Sequence, residues 1–121
     1  MNILEAVYKQ LCTIDGVQVA PCVPKKQPKH LITFSYSSGY RVNSVIDRVG
    51  IDVYVWAPTQ QETLEKAYQA RQRMFGLVNV IHNVSKVEET AFRYDPDVLV
   101  DSAPRWYLSY RLMVSGICKE L

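Results

Sequence analysis

Two carboxylates, Asp47 and Asp52, lie along a strongly β-patterned stretch of the chain. A pair of acids on a strand can hold a divalent cation for phosphodiester cleavage. That chemistry also needs a further acid and a lysine on the neighbouring strand. No such pair follows, so Asp47 and Asp52 read as solvent-facing carboxylates beside Arg41 and Arg48. His30 falls in a basic loop and His82 at the end of a helical pattern, with no His-Glu-x-x-His motif between them. Cys12, Cys22 and Cys118 are odd in number and show no Cys-x-x-Cys spacing. No Gly-x-Ser-x-Gly elbow is present, and the five glycines form no dinucleotide or phosphate-binding loop. The expectation is a protein that is not an enzyme and takes no metal or cofactor.

Charge is the next source of function. Lys25, Lys26, Lys29 and His30 share one segment with Pro24 and Pro28, and Asp95, Asp97 and Asp101 share another with Pro96 and Pro104. Clusters of this size are commonly solvated loops, and the basic one is also the best candidate for nucleic acid or an acidic partner surface. The two clusters are complementary, so the basic loop of one subunit could meet the acidic loop of the next in a head-to-tail ring. The whole chain is nearly neutral, with 14 Lys and Arg against 12 Asp and Glu, which does not announce a nucleic-acid binder.

The elements that must position these residues follow from periodicity. With 121 residues and 48% hydrophobic content the chain is one folded domain, residues 1–121, with no repeat. Asn2 and Glu5 cap a helix over 3–13, in which Ile3, Leu4, Val7, Tyr8 and Leu11 share a face. An edge strand over 17–23 is interrupted by Pro21, and a strand over 31–36 ends at the turn residues Ser37-Ser38-Gly39. The stretch 45–56 is the strongest strand, with Val49, Ile51, Val53 and Val55 on one side and Arg48, Asp52, Tyr54 and Trp56 on the other; Gly50 marks a bulge. Thr59 and Glu62 open a helix over 59–81, roughly 33 Å long, with a stripe through Leu64, Ala67, Tyr68, Arg71, Met74, Phe75, Val78 and Ile81. Strands over 84–94 and 106–115 follow, joined by the acidic loop.

The fold class is therefore α+β, a mixed or antiparallel sheet with two helices packed on one face. Both faces of the last strand carry large side chains, among them Trp106, Tyr107 and Tyr110. Two helices cover one face only, so the second face calls for another chain. No apolar run is long enough to span a bilayer. The N-terminus lacks a basic patch followed by an apolar stretch, which points to a protein made in a reducing cytoplasm.

This layout resembles the tail terminator (tail completion) proteins of long-tailed bacteriophages, the lambda-type and related groups. The resemblance covers about residues 2–116. It rests on the element order, the strand Val49-Gly50-Ile51-Asp52-Val53-Tyr54-Val55-Trp56 before Ala57-Pro58, a capped helix with Ala67, Arg71 and Met74, an acidic loop with Asp97, and the final strand Arg105-Trp106-Tyr107-Leu108-Ser109-Tyr110-Arg111-Leu112. It implies a structural virion protein whose hexameric ring caps the tail tube, stops its elongation and offers the head–tail joining surface. The implied partners are further copies of the chain, the tail tube protein, head–tail connector proteins and genomic DNA passing through the lumen, with no membrane. The implied location is the tail or neck of a virion assembled in the host cytoplasm. Candidate interface or lumen residues are Lys25, Lys26, Lys29, Asp95, Asp97, Asp101, Tyr107 and Arg111. Loops 24–30, 37–44 and 95–104 are candidates for ordering on assembly, and the basic proline-rich loop departs from the family pattern. The alternatives are another connector or neck protein, a small nucleic-acid-binding adaptor, or a metal-dependent nuclease using Asp47 and Asp52.

Overall fold

A computed structural model describes residues 3–41, 46–100 and 102–115, with side chains for all of these except 38–41 and 46. The capping role of Asn2, and the positions of Asp101 and Cys118, lie outside the described residues. The order is α1 (Ile3–Leu11), β1 (Gln18–Ala20), β2 (Leu31–Arg41), β3 (Ile46–Trp56), α2 (Gln60–Phe75), α3 (Leu77–Val80), β4 (Val84–Tyr94) and β5 (Arg105–Ser115). The five strands form one mixed sheet in the order β1-β2-β3-β5-β4, and α1 and α2 pack on one face, as the sequence implies. All neighbours are antiparallel except β1 and β2. The prolines at 21, 24 and 28 keep the connection out of hairpin pairing, so the chain travels back and lays β2 parallel to β1.

The core is built by period-two alternation on the long strands. Val49, Ile51, Val53 and Val55 of β3 are buried beside Leu108, Tyr110, Leu112 and Val114 of β5 and Ile32 and Phe34 of β2. Against them lie Ile3, Ala6, Val7 and Leu11 of α1. The expected bulge at Gly50 lies on the partner strand. Gly50 pairs in register with Arg111 and with Ser38, and the extra residue is on β2 between Tyr36 and Ser38. That irregularity lets β2 continue through the Ser-Ser-Gly turn chemistry instead of ending there. Two further bulges, between Val84 and Lys86 and between Glu89 and Ala91, explain the weak alternation of β4.

The long helix expected over 59–81 is two pieces. Thr59 caps α2 by accepting from the Glu62 N–H at 3.2 Å, and the helix closes at Gly76, whose N–H returns to the carbonyls of Gln72 and Met74. A β-carbon at residue 76 would stand 3.3 Å from the Gln72 carbonyl and 3.4 Å from the Arg73 carbonyl and the Gln10 amide of α1, so glycine relieves crowding at this helix end. The buried stripe is also rotated from the expected one. It runs through Thr63, Ala67, Ala70 and Met74, while Tyr68 and Phe75 stay largely exposed on the flank above β4 and β5. Tyr68 meets Phe92 and Phe75 meets Tyr110 edge-on. The two alanines place the middle of the helix close to the sheet, with Met74 filling the core beyond them and Tyr68 and Phe75 packing at the border.

A polar knot sits under that flank. Arg71 Nη2 donates to Glu89 Oε2 at 2.8 Å, and the Tyr110 hydroxyl donates to Glu89 Oε1 at 3.2 Å. Burial, reinforced by the Glu89 charge, raises the Tyr110 hydroxyl well above the ordinary tyrosine range.

Ala67→Leu is expected to cost about 1–3 kcal/mol by overpacking, read by urea unfolding. Because the folded chain holds the Tyr110 proton to higher pH than the unfolded chain, this group's contribution is complete below about pH 10 and declines above it. Unfolding free energies measured across that range should fall less steeply in Tyr110→Phe than in the native sequence.

Candidate functional site

The face of the sheet away from the helices is not apolar along its length, which corrects the expectation drawn from aromatic content. Trp106 lies on the helix side, among Leu108, Tyr110, Phe92 and Tyr94. The open side carries Tyr54 and Tyr107, which are cross-strand partners with ring centroids 5.1 Å apart. Cations cover the aromatic rings. The Arg93 guanidinium stands 4.6 Å from the Tyr107 ring centre, and Arg105 stands 4.6 Å from Tyr54 and 5.7 Å from Trp56. The Tyr107 hydroxyl donates to Asp52 Oδ1 at 2.9 Å. Its pKa is raised by partial burial, and the Asp52 charge adds to the rise. Arg111 is half-buried on the same face, in register with Gly50 and Glu88.

At one end of this face the β4–β5 loop folds back on the sheet. Trp56 and Leu31 are buried there, outside the main core cluster. The Trp56 Nε1–H donates to Asp97 Oδ2 at 3.2 Å. Arg105 is paired to Asp95 at 3.1 Å and to Asp97 at 3.9 Å, and it also donates to the Asp95 carbonyl. The loop is tied within itself as well. Asp97 and Ala103 form an isolated bridge, the Val100 N–H returns to the Asp97 carbonyl, and the Leu99 N–H is accepted by Asp97 Oδ1. Ser102 takes the left-handed backbone, φ 55°, that closes the turn. This loop nevertheless exposes three apolar residues in a row, Val98 at 78%, Leu99 at 92% and Val100 at 47%.

Beside the loop opens a cleft of about 400 Å³. Three segments line it: residues 27–29 of the basic loop, residues 56–58 at the end of β3, and Val100, Ala103 and Pro104. Two of the chain's three Ala-Pro dipeptides, Ala57-Pro58 and Ala103-Pro104, thus meet at one place. Their rings fix the backbone and present apolar surface without exposed N–H groups. The basic loop is held against α2 by His30, whose Nε2 lies 3.3 Å from Glu62 Oε2.

The structure therefore brings part of the sequence-derived set together. Lys29 lines the cleft, and Lys25 and Lys26 are exposed on the same loop. Among the described residues none of the three has an ion-pair partner. Asp95 and Asp97 are engaged within the chain, and Asp97 is buried. Tyr107 and Arg111 lie along the open sheet face, apart from the cleft lining. Trp56 and Arg105, which organise the site, were not among the site residues read from the sequence. The exposed tip has a sequence signal, a Val-Leu-Val run set inside an acidic segment.

Among the described residues no group of three or more His, Cys, Asp or Glu is placed to hold a metal ion, and no helix is long and apolar enough to cross a membrane. No protein-family model matches the chain, and no curated protein matches it significantly.

Asp97→Ala leaves the Trp56 indole N–H without its acceptor and should cost about 1–3 kcal/mol. Amide exchange at Leu99, Val100 and Ala103 should accelerate in the variant while exchange in β3 and β5 stays slow.

Proposed function

We propose that the protein is a structural subunit of a phage tail or neck, a tail terminator. In this reading copies of the chain close into a ring, hexameric as in the family it resembles, that caps the tail tube and stops its elongation. The ring offers the surface that head–tail connector proteins join, and the genomic DNA passes through its lumen. The role is mechanical and not catalytic.

The observation that carries the reading is the β4–β5 loop. Its backbone is fastened by Asp97, Arg105 and Trp56, so the exposure of Val98, Leu99 and Val100 does not come from a loose chain. Three adjacent apolar side chains held in water on a braced scaffold suit protein–protein contact. Support also comes from the α-β-β-β-α-α-β-β order and from the long strand that ends in Val-Tyr-Val-Trp just before Ala57-Pro58.

Negative-stain micrographs and sedimentation of the purified chain, alone and with tail tubes, test the reading. The expected result is a closed ring with a central hole, free or seated on tube ends. A chain that stays monomeric at every concentration and leaves tube growth unchanged would overturn it.

A further inference from the structure

The apolar tip and the apolar cleft belong to one chain and adjoin each other. Val100 is on the cleft wall, and Leu99, the next residue, points its side chain into water. The tip cannot fold into its own cleft, because the backbone bonds of Asp97, Val100 and Ala103 fix it where it stands. The cleft volume lies within the range of about 300–1,000 Å³ of formed binding sites, and its lining is dominated by proline, alanine and Trp56. Lys29 lines it, and Lys25 and Lys26 are exposed on the same loop, which has no acid between Pro24 and His30. The segment that carries the tip has the opposite character even with Arg105 counted: three Asp against one Arg leave residues 95–105 with a net charge of −2, and the Asp95 carboxylate beside Arg105 stays partly exposed.

We propose that the Val98-Leu99-Val100 tip of one copy seats in the cleft between residues 27–29 and 56–58 of a second copy. Leu99 is the anchor that leaves water, against Pro28 and Pro58. The three lysines, which have no ion-pair partner among the described residues, face the acidic segment that carries the incoming tip. The apolar seat gives the contact its lifetime, and the charges speed encounter and set the direction of approach. Each chain carries both halves, so each copy gives a tip and receives one. The inference rests on the ring reading only for closure into a ring.

The test compares the full chain with Leu99→Asp by sedimentation over a concentration series. Leu99 is almost wholly exposed, so the variant should melt like the native chain and self-associate about tenfold more weakly, or worse. Lys25→Glu/Lys26→Glu/Lys29→Glu should weaken association severalfold and remove its salt dependence. A benzophenone amino acid at position 99, in mixed heavy-isotope and light-isotope copies, should crosslink between copies onto residues 27–29 or 56–58. Native-strength association of Leu99→Asp overturns the contact, as do inter-copy crosslinks that fall elsewhere and a native chain that remains monomeric. Crosslinks that move to the tube protein when tubes are present also overturn the second copy as occupant and assign that partner. Rings that survive Leu99→Asp leave the ring reading standing without this contact. Leu99-dependent association that never closes leaves the contact standing without the ring.

Discussion

The carboxylate of Asp97 holds one end of the molecule together. It is buried, accepts the indole N–H of Trp56 and stands in reach of Arg105. A buried carboxylate is costly unless it is hydrogen-bonded and its charge is balanced. Here Trp56 and the Leu99 N–H supply the bonds, and Arg105 supplies the charge. The same residue thus decides where the β4–β5 loop lies, how Trp56 is oriented and what shape the cleft takes. Asp95 shares Arg105 and fixes the first turn of the loop.

The rest of the sheet follows a different economy on its two faces. On the helix side, valine, isoleucine and leucine alternate into a conventional core, and two alanines admit α2. On the open side the tyrosines of β3 and β5 lie beneath arginines, and the Tyr107 hydroxyl ends on Asp52. Such stacks let large rings remain at a wet surface, because the guanidinium covers the ring while keeping its own contact with water. A face of this kind is stable without a second layer.

Much of this was legible in the residue pattern. The strict alternation of Val49, Ile51, Val53 and Val55 located the central strand and its buried face, and the Thr59–Glu62 spacing located the start of α2. What was not legible has specific causes. The apolar stripe of α2 could be drawn through Leu64 and Tyr68 because hydrophobicity alone does not say that alanine will be chosen for closeness to a sheet. The bulges of β2 and β4 shift the alternation by one residue, and no local residue type announces them. The site was half visible. Charge clustering identified both loops, but Asp95 and Asp97 proved to serve the chain's own Arg105 and Trp56, and only the fold brings residues 27–29, 56–58 and 100–104 together across the sequence.

The bracing of the β4–β5 loop separates two tasks within a few residues. Among the described residues the loop is held by backbone groups and by Trp56, Asp95, Asp97 and Arg105, while Val98 and Leu99 spend their side chains on solvent. A change of side chain at the tip therefore leaves the folding free energy nearly untouched and alters only what the tip can recognise. Recognition can drift or be re-engineered here without a matching repair in the core. The domain is in that sense a fixed handle with an interchangeable end.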